Sequence, residues 1–76
     1  MDGLDVRKAF ESLDALRRLL EISIEELAPL CGVTPLTYKR WRSGVVPRKS
    51  RLETFQSVIE KLKTENAEQV RLFLCR

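Results

Sequence analysis

The side chains of this chain best able to act on another molecule are six cations that lie close together in the sequence. Between Glu26 and Glu53 there is no acidic residue, and the cations of that stretch are Lys39, Arg40, Arg42, Arg48, Lys49 and Arg51. The remainder of the chain has more acidic than basic residues, although the whole chain carries a formal charge of +3. A surface of one sign attracts a partner of the other. We therefore expect a polyanion to meet this part of the molecule.

The residues of a catalytic or metal centre are scarce. The chain has no histidine, and its two cysteines, Cys31 and Cys75, form neither a zinc-ligand spacing nor a disulfide framework. The neighbouring carboxylates Glu25 and Glu26 suit the positive start of a helix better than acid–base catalysis. We expect no enzyme activity, no metal and no cofactor, with Cys31 as a small buried apolar side chain and Cys75 as a tail residue.

Length and composition limit the class of protein. A chain of 76 residues, 43% hydrophobic and 33% charged, suits a single domain over residues 1–76. No segment alternates as a half-buried strand does, so we expect an all-α fold, a compact four- to five-helix bundle. No apolar run reaches the ~20 residues that span a bilayer, and the N-terminus is acidic, unlike a signal peptide. These features predict an intracellular, cytoplasmic protein without membrane contact.

Apolar periodicity and a capping pattern predict the first two helices. The first is expected from Val6 onward, with core residues Phe10, Leu13 and Leu16 and with Arg17 and Arg18 in solvent. Ser23 and Glu26 form a capping box at the start of the second. Gly32 can take the left-handed backbone that ends a helix, whereas Pro29 is expected to loosen or kink it.

A third helix is predicted over residues 35–42. Thr34 is a suitable N-cap and Pro35 a suitable first helical residue. Tyr38 and Trp41, three residues apart, are expected to face the core and leave a polar, basic side to solvent. Gly44 supplies the stop, and the segment 45–49 is expected to be a positively charged loop.

A second capping box, Ser50 with Glu53, predicts a fourth helix that packs on the others. Its core residues are expected to be Leu52, Phe55, Ile59 and Leu62. The segment beyond Lys63 is either an extension of this helix or a separate short helix. Polar residues at Asn66 and Gln69 interrupt the apolar seam of an extension and favour a separate helix. The bundle is expected to occupy residues 5–62, with a C-terminal segment over 64–76.

A two-turn helix, a glycine-containing turn and a second helix with a basic outer side form an arrangement that can enter the DNA major groove. The stretch from Ser23 to Thr34 (SIEELAPLCGVT), with Tyr38, Trp41, Gly44 and Pro47, resembles the lambda-repressor and Cro-like (Xre-type) helix-turn-helix family. The resemblance covers roughly residues 13–62. It implies a sequence-specific regulator of transcription, of the repressor kind, that binds double-stranded DNA.

The resemblance also implies roles for individual residues. The residues expected to face base edges are Pro35, Leu36, Thr37, Lys39 and Arg40. Arg40 can donate two hydrogen bonds to guanine, and Leu36 and Thr37 can touch a thymine methyl group. The residues expected at phosphates are Thr34, Arg42, Ser43, Arg48, Lys49 and Arg51. The chain departs from the family at Ile24, where a phosphate-contacting glutamine is common.

Two expectations concern partners. The family usually pairs on an inverted-repeat operator, so we expect a homodimer formed by Val70, Leu72 and Phe73 in the C-terminal segment, with no small-molecule effector evident. The alternative is a protein-interaction module, antitoxin-like or an adaptor. That module would offer the apolar residues Leu30, Leu36, Val45 and Val46 to its partner. The acid-free stretch favours DNA over this alternative.

Overall fold

The computed structural model describes residues 2–74, and the side chains of residues 5–72. This part of the chain has no strand, and its α-helices are α1 (Asp2–Leu19), α2 (Ile24–Leu30), α3 (Pro35–Arg42), α4 (Arg51–Glu65) and α5 (Ala67–Leu74). The expected all-α bundle is confirmed. α1 packs along α4, α2 packs on α3, and α5 contacts α4. Over the described residues, no helix has both the length and the apolar character needed to cross a membrane.

The core is built around the aromatic side chains of three helices. The ring of Phe10 on α1 lies 5.1 Å from Tyr38 and 5.7 Å from Trp41, both on α3, measured between ring centroids. Phe55 on α4 lies 5.7 Å from Phe10 and 5.2 Å from Trp41. Most of these pairs meet edge to face, the geometry that the ring quadrupole favours. This cluster fixes the orientation of α3 against α1 and α4.

α1 is longer than its apolar pattern predicts, since it begins at Asp2 instead of near Val6. The side chains of Val6, Phe10 and Leu13 are at most 3% exposed, as the helical spacing requires. The helix ends with Glu21 in the left-handed region at φ 57°. That conformation costs a residue with a Cβ roughly 1 kcal/mol, which the packing around the turn must offset.

The capping box predicted at the start of α2 is confirmed. The Ser23 hydroxyl accepts a hydrogen bond from the Glu26 amide at 3.1 Å, and the Glu26 carboxylate accepts one from the Ser23 amide at 3.5 Å. α2 continues through Pro29 to Leu30, so the proline does not end the helix. The hydrogen bond that proline removes would have gone to the carbonyl of Glu25, an exposed residue of the first turn that water can reach.

The turn between α2 and α3 is short and closed by backbone hydrogen bonds. Gly32 has φ 74°, and its amide donates to the carbonyl of Pro29 at 3.0 Å. The amide of Val33 donates to the carbonyl of Ala28 at 3.1 Å, which completes a Schellman motif. Thr34 then caps α3, because its hydroxyl accepts from the Thr37 amide at 3.3 Å. The relative orientation of α2 and α3 is therefore set at both ends of the turn.

The capping box predicted for α4 is wrong. Ser50 already has a helical backbone (φ −64°, ψ −14°), so its side chain forms no capping hydrogen bond. The amides of Arg51 and Leu52 instead donate to the carbonyls of Arg48 and Lys49, at 2.9 and 3.1 Å. A tight backbone turn thus satisfies the first donors of α4 without a side chain.

α4 and α5 are separate helices, as the sequence predicts. Asn66 interrupts the helical path with φ −121° and ψ 33°. Its backbone amide and its side-chain amide both donate to the carbonyl of Leu62, at 2.9 and 3.0 Å. The polar residue in the seam therefore closes α4, and α5 begins at Ala67.

Candidate nucleic-acid interface

The core defines which side of α3 is available to a partner. Tyr38 is fully buried and Trp41 is 5% exposed, so both face inward as predicted. Residues three and four apart share one side of a helix. The opposite side, called here the outward face, carries Leu36, Lys39, Arg40 and Ser43, and all four are exposed.

At the N-terminal end of α3 the polar groups bond to each other. The Thr34 hydroxyl caps the helix and lies 3.2 Å from the hydroxyl of Thr37. Thr37 is half-buried, as is Pro35. The predicted base contact of Thr37 and the predicted phosphate contact of Thr34 would therefore both have to share hydroxyls already engaged in the cap.

One side of α3 faces a buried carboxylate on α1. Asp14 Oδ1 accepts a hydrogen bond from the Tyr38 hydroxyl at 2.9 Å and another from Arg17 Nε at 2.9 Å. Asp14 Oδ2 lies 3.4 Å from a guanidinium nitrogen of Arg18 and 3.6 Å from Nε of Arg42. The carboxylate is 8% exposed, so these contacts form in a weakly screened environment.

These partners decide the protonation state of the pair. Burial by itself raises the pKa of Asp14, but hydrogen bonds from Arg17 and Tyr38 and the charges of Arg17 and Arg42 outweigh it and hold that pKa below its usual value. Burial, followed by the hydrogen bond to Asp14, raises the pKa of the Tyr38 hydroxyl. Asp14 is therefore an anion, and Tyr38 a neutral donor, at neutral pH.

The expectation that Arg17 is solvated is wrong. Its side chain is 12% exposed, and it donates to Asp14 and, at 3.0 Å, to the carbonyl of Ile22 beyond the end of α1. The guanidinium thus satisfies an acceptor in the turn before α2. Arg18 is 65% exposed, in agreement with the expectation.

A second carboxylate lies on the same side of α3. Glu25 Oε2 on α2 is 3.8 Å from Nζ of Lys39, and both side chains are more than half exposed. We call the two ion pairs, Asp14 with Arg42 and Glu25 with Lys39, the paired flank of α3. Both of these cations are predicted DNA contacts, and both already have an anionic partner within the chain.

The other side of α3 has a different character. An open cavity of about 580 Å³ lies between α3 and the loop that follows it, and no carboxylate lines it. Arg40, Val45, Val46 and Arg48 border this cavity and are exposed. We call these four residues the open flank. Among the side chains described, no carboxylate lies within ion-pair distance of Arg40 or Arg48. Their guanidinium groups are available to an anion from outside.

The backbone positions the open flank. Gly44, at φ 122°, ends α3 with a second Schellman motif, in which the amide of Val45 donates to the carbonyl of Arg40 at 3.1 Å. Pro47 is buried and anchors the loop, while Lys49 is exposed next to Arg48. The loop therefore holds the predicted phosphate contacts Arg48 and Lys49 beside the outward face.

Arg51, a predicted phosphate contact, also has a partner within the chain. Its guanidinium donates to the carbonyl of Cys31 at 3.4 Å, at the end of α2, and its side chain lies against Gly32. Arg51 thereby ties α4 to the turn between α2 and α3. Cys31 is buried, as expected, and burial raises the pKa of its thiol to about 11 against the opposing charge of Arg51.

The sequence analysis missed two further contacts at the end of α3. Ser43, predicted at a phosphate, donates its hydroxyl to the carbonyl of Arg40 at 2.8 Å, so that hydroxyl completes the helix end. Arg7 on α1 donates to the carbonyl of Trp41 at 3.2 Å and pairs with Glu11 at 3.3 Å. Arg7, Glu11 and Asp14 follow one another at steps of four and three residues, so they form a polar stripe along α1. This spacing was the signal in the sequence for a polar contact on that side of α1.

The predicted dimer residues differ in exposure. Val70 is half-buried against the core and lines an apolar groove with Leu16, Leu19 and Ile59. Leu72 is 67% exposed. The predicted contact of Phe73 lies outside the residues whose side chains are described, and the assignment of Cys75 as a tail residue lies outside the described chain.

The described side chains contain no group of three or more His, Cys, Asp or Glu residues that could hold a metal ion. Comparison of the chain with protein-family models, with curated proteins and with solved structures returned no match. The geometry of α3 and its two flanks is therefore the basis for assigning a function.

Proposed function

We propose that this protein is a sequence-specific regulator of transcription that binds double-stranded DNA with α3 in the major groove. The observation that carries the proposal is the open flank. Arg40 and Arg48 are exposed beside the outward face, and no described carboxylate pairs with them. Exposed cations without an internal partner gain most from an external polyanion, and DNA phosphates release counterions when such cations neutralise them.

The placement of α3 supports this reading. α2 and α3 are joined by a four-residue turn, and α3 exposes one side along its length while Tyr38 and Trp41 anchor the other. A helix with its side chains is about 10–12 Å wide, and the major groove is about 12 Å wide. In this proposal α2–turn–α3 acts as a helix-turn-helix unit with α3 as the recognition helix.

The proposed roles follow the availability of each side chain. Arg40 donates to the O6 and N7 atoms of a guanine, and Leu36 contacts bases beside it. Arg48 and Lys49 contact phosphates next to the groove. Lys39 and Arg42 are secondary contacts because they must share their charge with Glu25 and Asp14. Arg51, Ser43 and Thr34 chiefly hold the unit together.

The proposal includes a homodimer on an inverted repeat, acting as a repressor in the cytoplasm. α5 offers Leu72, which is 67% exposed, and Val70, which lines an apolar groove. Replacing Leu72 with Asp should convert the dimer to a monomer in sedimentation experiments, whereas Ser57→Asp, at an exposed position of α4, should leave the dimer intact. An unchanged mass for Leu72→Asp would place the interface elsewhere.

Selection from random duplex DNA at near-physiological salt tests the proposed function. The wild-type protein should enrich an inverted repeat. Arg40→Ala should enrich a more degenerate sequence, and Lys49→Ala should bind the same sequence more weakly. Lys61→Ala, an exposed cation on α4, is the matched control and should behave as wild type. Failure of the wild-type protein to retain any duplex would overturn the proposal.

A protein-interaction module, antitoxin-like or an adaptor, is the second candidate. Its support is the exposure of four apolar side chains near α3. Leu30 is 42% exposed, Val45 53%, Val46 55% and Leu36 60%. An apolar partner could cover them, since large exposed apolar surfaces often mark an interface. Absence of DNA retention in the selection would favour this candidate over the first.

A further inference from the structure

One apolar side chain stands in the middle of a face otherwise made of polar groups. Leu36 is 60% exposed in the first turn of α3 and shares the outward face with Lys39, Arg40 and Ser43. The core already has its inward residues from this helix, Tyr38 and Trp41, so folding of the chain gives Leu36 no burial comparable to theirs. A bound partner that covered this side chain would gain the free energy of its burial.

The contacts of its neighbours show which other side chains of the outward face are available to that partner. Thr37 has its hydroxyl bonded to Thr34, and Lys39 has Glu25 within 3.8 Å. Arg40 is the remaining long side chain of the outward face, and it lies one helical turn after Leu36 with no carboxylate partner among the described residues. Two side chains therefore dominate the face, one apolar and one a bidentate donor.

Their spacing limits the distance between the groups that they recognise. Four residues of α-helix rise about 6 Å. Successive base pairs of DNA are about 3.4 Å apart. The backbone positions of Leu36 and Arg40 are therefore separated by about two base-pair steps, which puts neighbouring base pairs within their common reach. In the major groove, the apolar group that a base presents is the 5-methyl of a pyrimidine, and the group suited to a bidentate arginine is guanine.

We infer that Leu36 and Arg40 read, as a unit, a pyrimidine 5-methyl group and a guanine that lies within two base pairs of it. This inference rests on the proposed DNA-binding function and adds the class of sequence that the protein selects. In ordinary DNA the methyl belongs to thymine, and in methylated DNA 5-methylcytosine presents the same group. The apolar contact of Leu36 with the methyl group needs no hydrogen bond, and the two hydrogen bonds donated by Arg40 fix the position of the guanine.

The test removes a single methyl group from the DNA and leaves the protein unchanged. Each thymine of the duplex enriched by selection is replaced in turn by deoxyuridine, and the Kd is measured by fluorescence anisotropy. At one thymine the wild-type protein should lose about fourfold in affinity, the value expected for one buried methyl. Replacing a guanine within two base pairs by 7-deazaguanine, which lacks the N7 acceptor, should also weaken binding.

Variants assign these losses to side chains. In Leu36→Ala the deoxyuridine penalty should disappear while the deazaguanine penalty persists, and in Arg40→Ala the deazaguanine penalty should disappear. Leu30→Ala removes an exposed apolar side chain of α2, outside the outward face and the open flank, and should retain both penalties. Leu36→Ala alters an exposed position, so its melting temperature should match wild type. A parallel selection with 5-methylcytosine in place of cytosine distinguishes the two sources of the methyl.

The possible results separate this inference from the function on which it rests. A duplex that is enriched but insensitive to every deoxyuridine substitution would overturn the inference and leave DNA binding standing. A methyl penalty that persists in Leu36→Ala would also overturn it, because another side chain would then read the methyl. Loss of all duplex retention by the wild-type protein would overturn the proposed function itself.

Discussion

Each flank of α3 carries two cationic side chains, but the two flanks differ in whether a carboxylate of the protein pairs with them. On the paired flank, Arg42 lies 3.6 Å from Asp14 and Lys39 lies 3.8 Å from Glu25. On the open flank, Arg40 and Arg48 have no carboxylate within ion-pair distance among the described residues. A cation's type therefore says little about its task. A cation beside a carboxylate of a neighbouring helix forms an ion pair within the protein. A cation without such a neighbour can bind an external anion.

The two carboxylates of the paired flank also differ from each other. Asp14 is 8% exposed and has four cationic or hydroxyl partners, whereas Glu25 is 66% exposed and has one. Exposed ion pairs contribute about 0–1 kcal/mol, so DNA can recruit Lys39 from Glu25 at little cost. The charge of the buried Asp14 is less screened by water than that of the exposed Glu25, so Arg42 is the more firmly held of the two cations.

The largest expected effect is on stability, at Asp14. Asp14→Ala should lower the free energy of unfolding by about 3 kcal/mol or more, because it leaves Arg17 and the Tyr38 hydroxyl without their acceptor. Glu11→Ala breaks an exposed pair with Arg7 and should cost about 1 kcal/mol or less. Urea denaturation of both variants measures the difference. Equal losses would show that burial of the Asp14 cluster contributes nothing beyond a surface pair.

Adjacent cations on α3 should differ in their effect on DNA affinity. Arg40→Ala should weaken binding to the selected duplex by about fivefold or more, because a bidentate contact to guanine is worth about 1–3 kcal/mol. Lys39→Ala should weaken binding less, since Glu25 already offsets its charge. Anisotropy titrations of the two variants side by side give the ratio. A larger loss for Lys39→Ala would reverse the assignment of the flanks.

Acid should lower the stability of the protein by protonating Asp14 of the paired flank. The pKa of Asp14 is lower in the folded protein than in the unfolded chain, so its contribution to stability is complete above the unfolded value near 4 and is lost as the pH falls through the lower folded value. Asp14→Asn should therefore show a flatter decline of unfolding free energy below about pH 4 than wild type does. Parallel pH profiles for the two proteins would contradict the role of Asp14.

The smallest expected effect is on the salt dependence of binding. Arg48→Ala should reduce the slope of log Kd against log salt concentration by about 0.9, the value for one phosphate contact on B-DNA. It should weaken binding to all duplexes alike. Arg42→Ala should change the slope less, because Asp14, 3.6 Å from Nε of Arg42, competes with phosphate for that guanidinium. Titrations at four salt concentrations suffice, and an identical slope change in the two variants would remove the distinction between the flanks.

Local patterns in the sequence predicted most of the scaffold. The bounds of α3, the capping box of Ser23, the Thr34 cap and the inward positions of Tyr38 and Trp41 all depend on residues within one or two helical turns. Such contacts are encoded by spacing alone. The break at Asn66 was accessible for the same reason, since a polar residue in an apolar seam is visible in the sequence.

The wrong assignment of Arg17 depends on burial that its own helix does not reveal. Asp14 lies three residues before Arg17 on α1, so the spacing of the pair was visible, but the Tyr38 hydroxyl of α3 also binds that carboxylate in the core. The phosphate contact of Arg51 stays a prediction, although its guanidinium also donates to the carbonyl of Cys31, 20 residues earlier. Packing of one helix against another decides which charged side chains are buried, and spacing along one helix cannot reveal it.

The most direct test of the central claim is a heteronuclear NMR titration of the full-length protein with the selected duplex. The largest shifts should fall on the backbone amides of the outward face and the open flank, which are those of Leu36, Lys39, Arg40, Ser43, Val45, Val46 and Arg48. Amides along the groove that Leu16, Ile59 and Val70 line should move less. Strong shifts confined to that groove, or no shifts with any duplex, would contradict the account that α3 and its open flank form a DNA-binding surface.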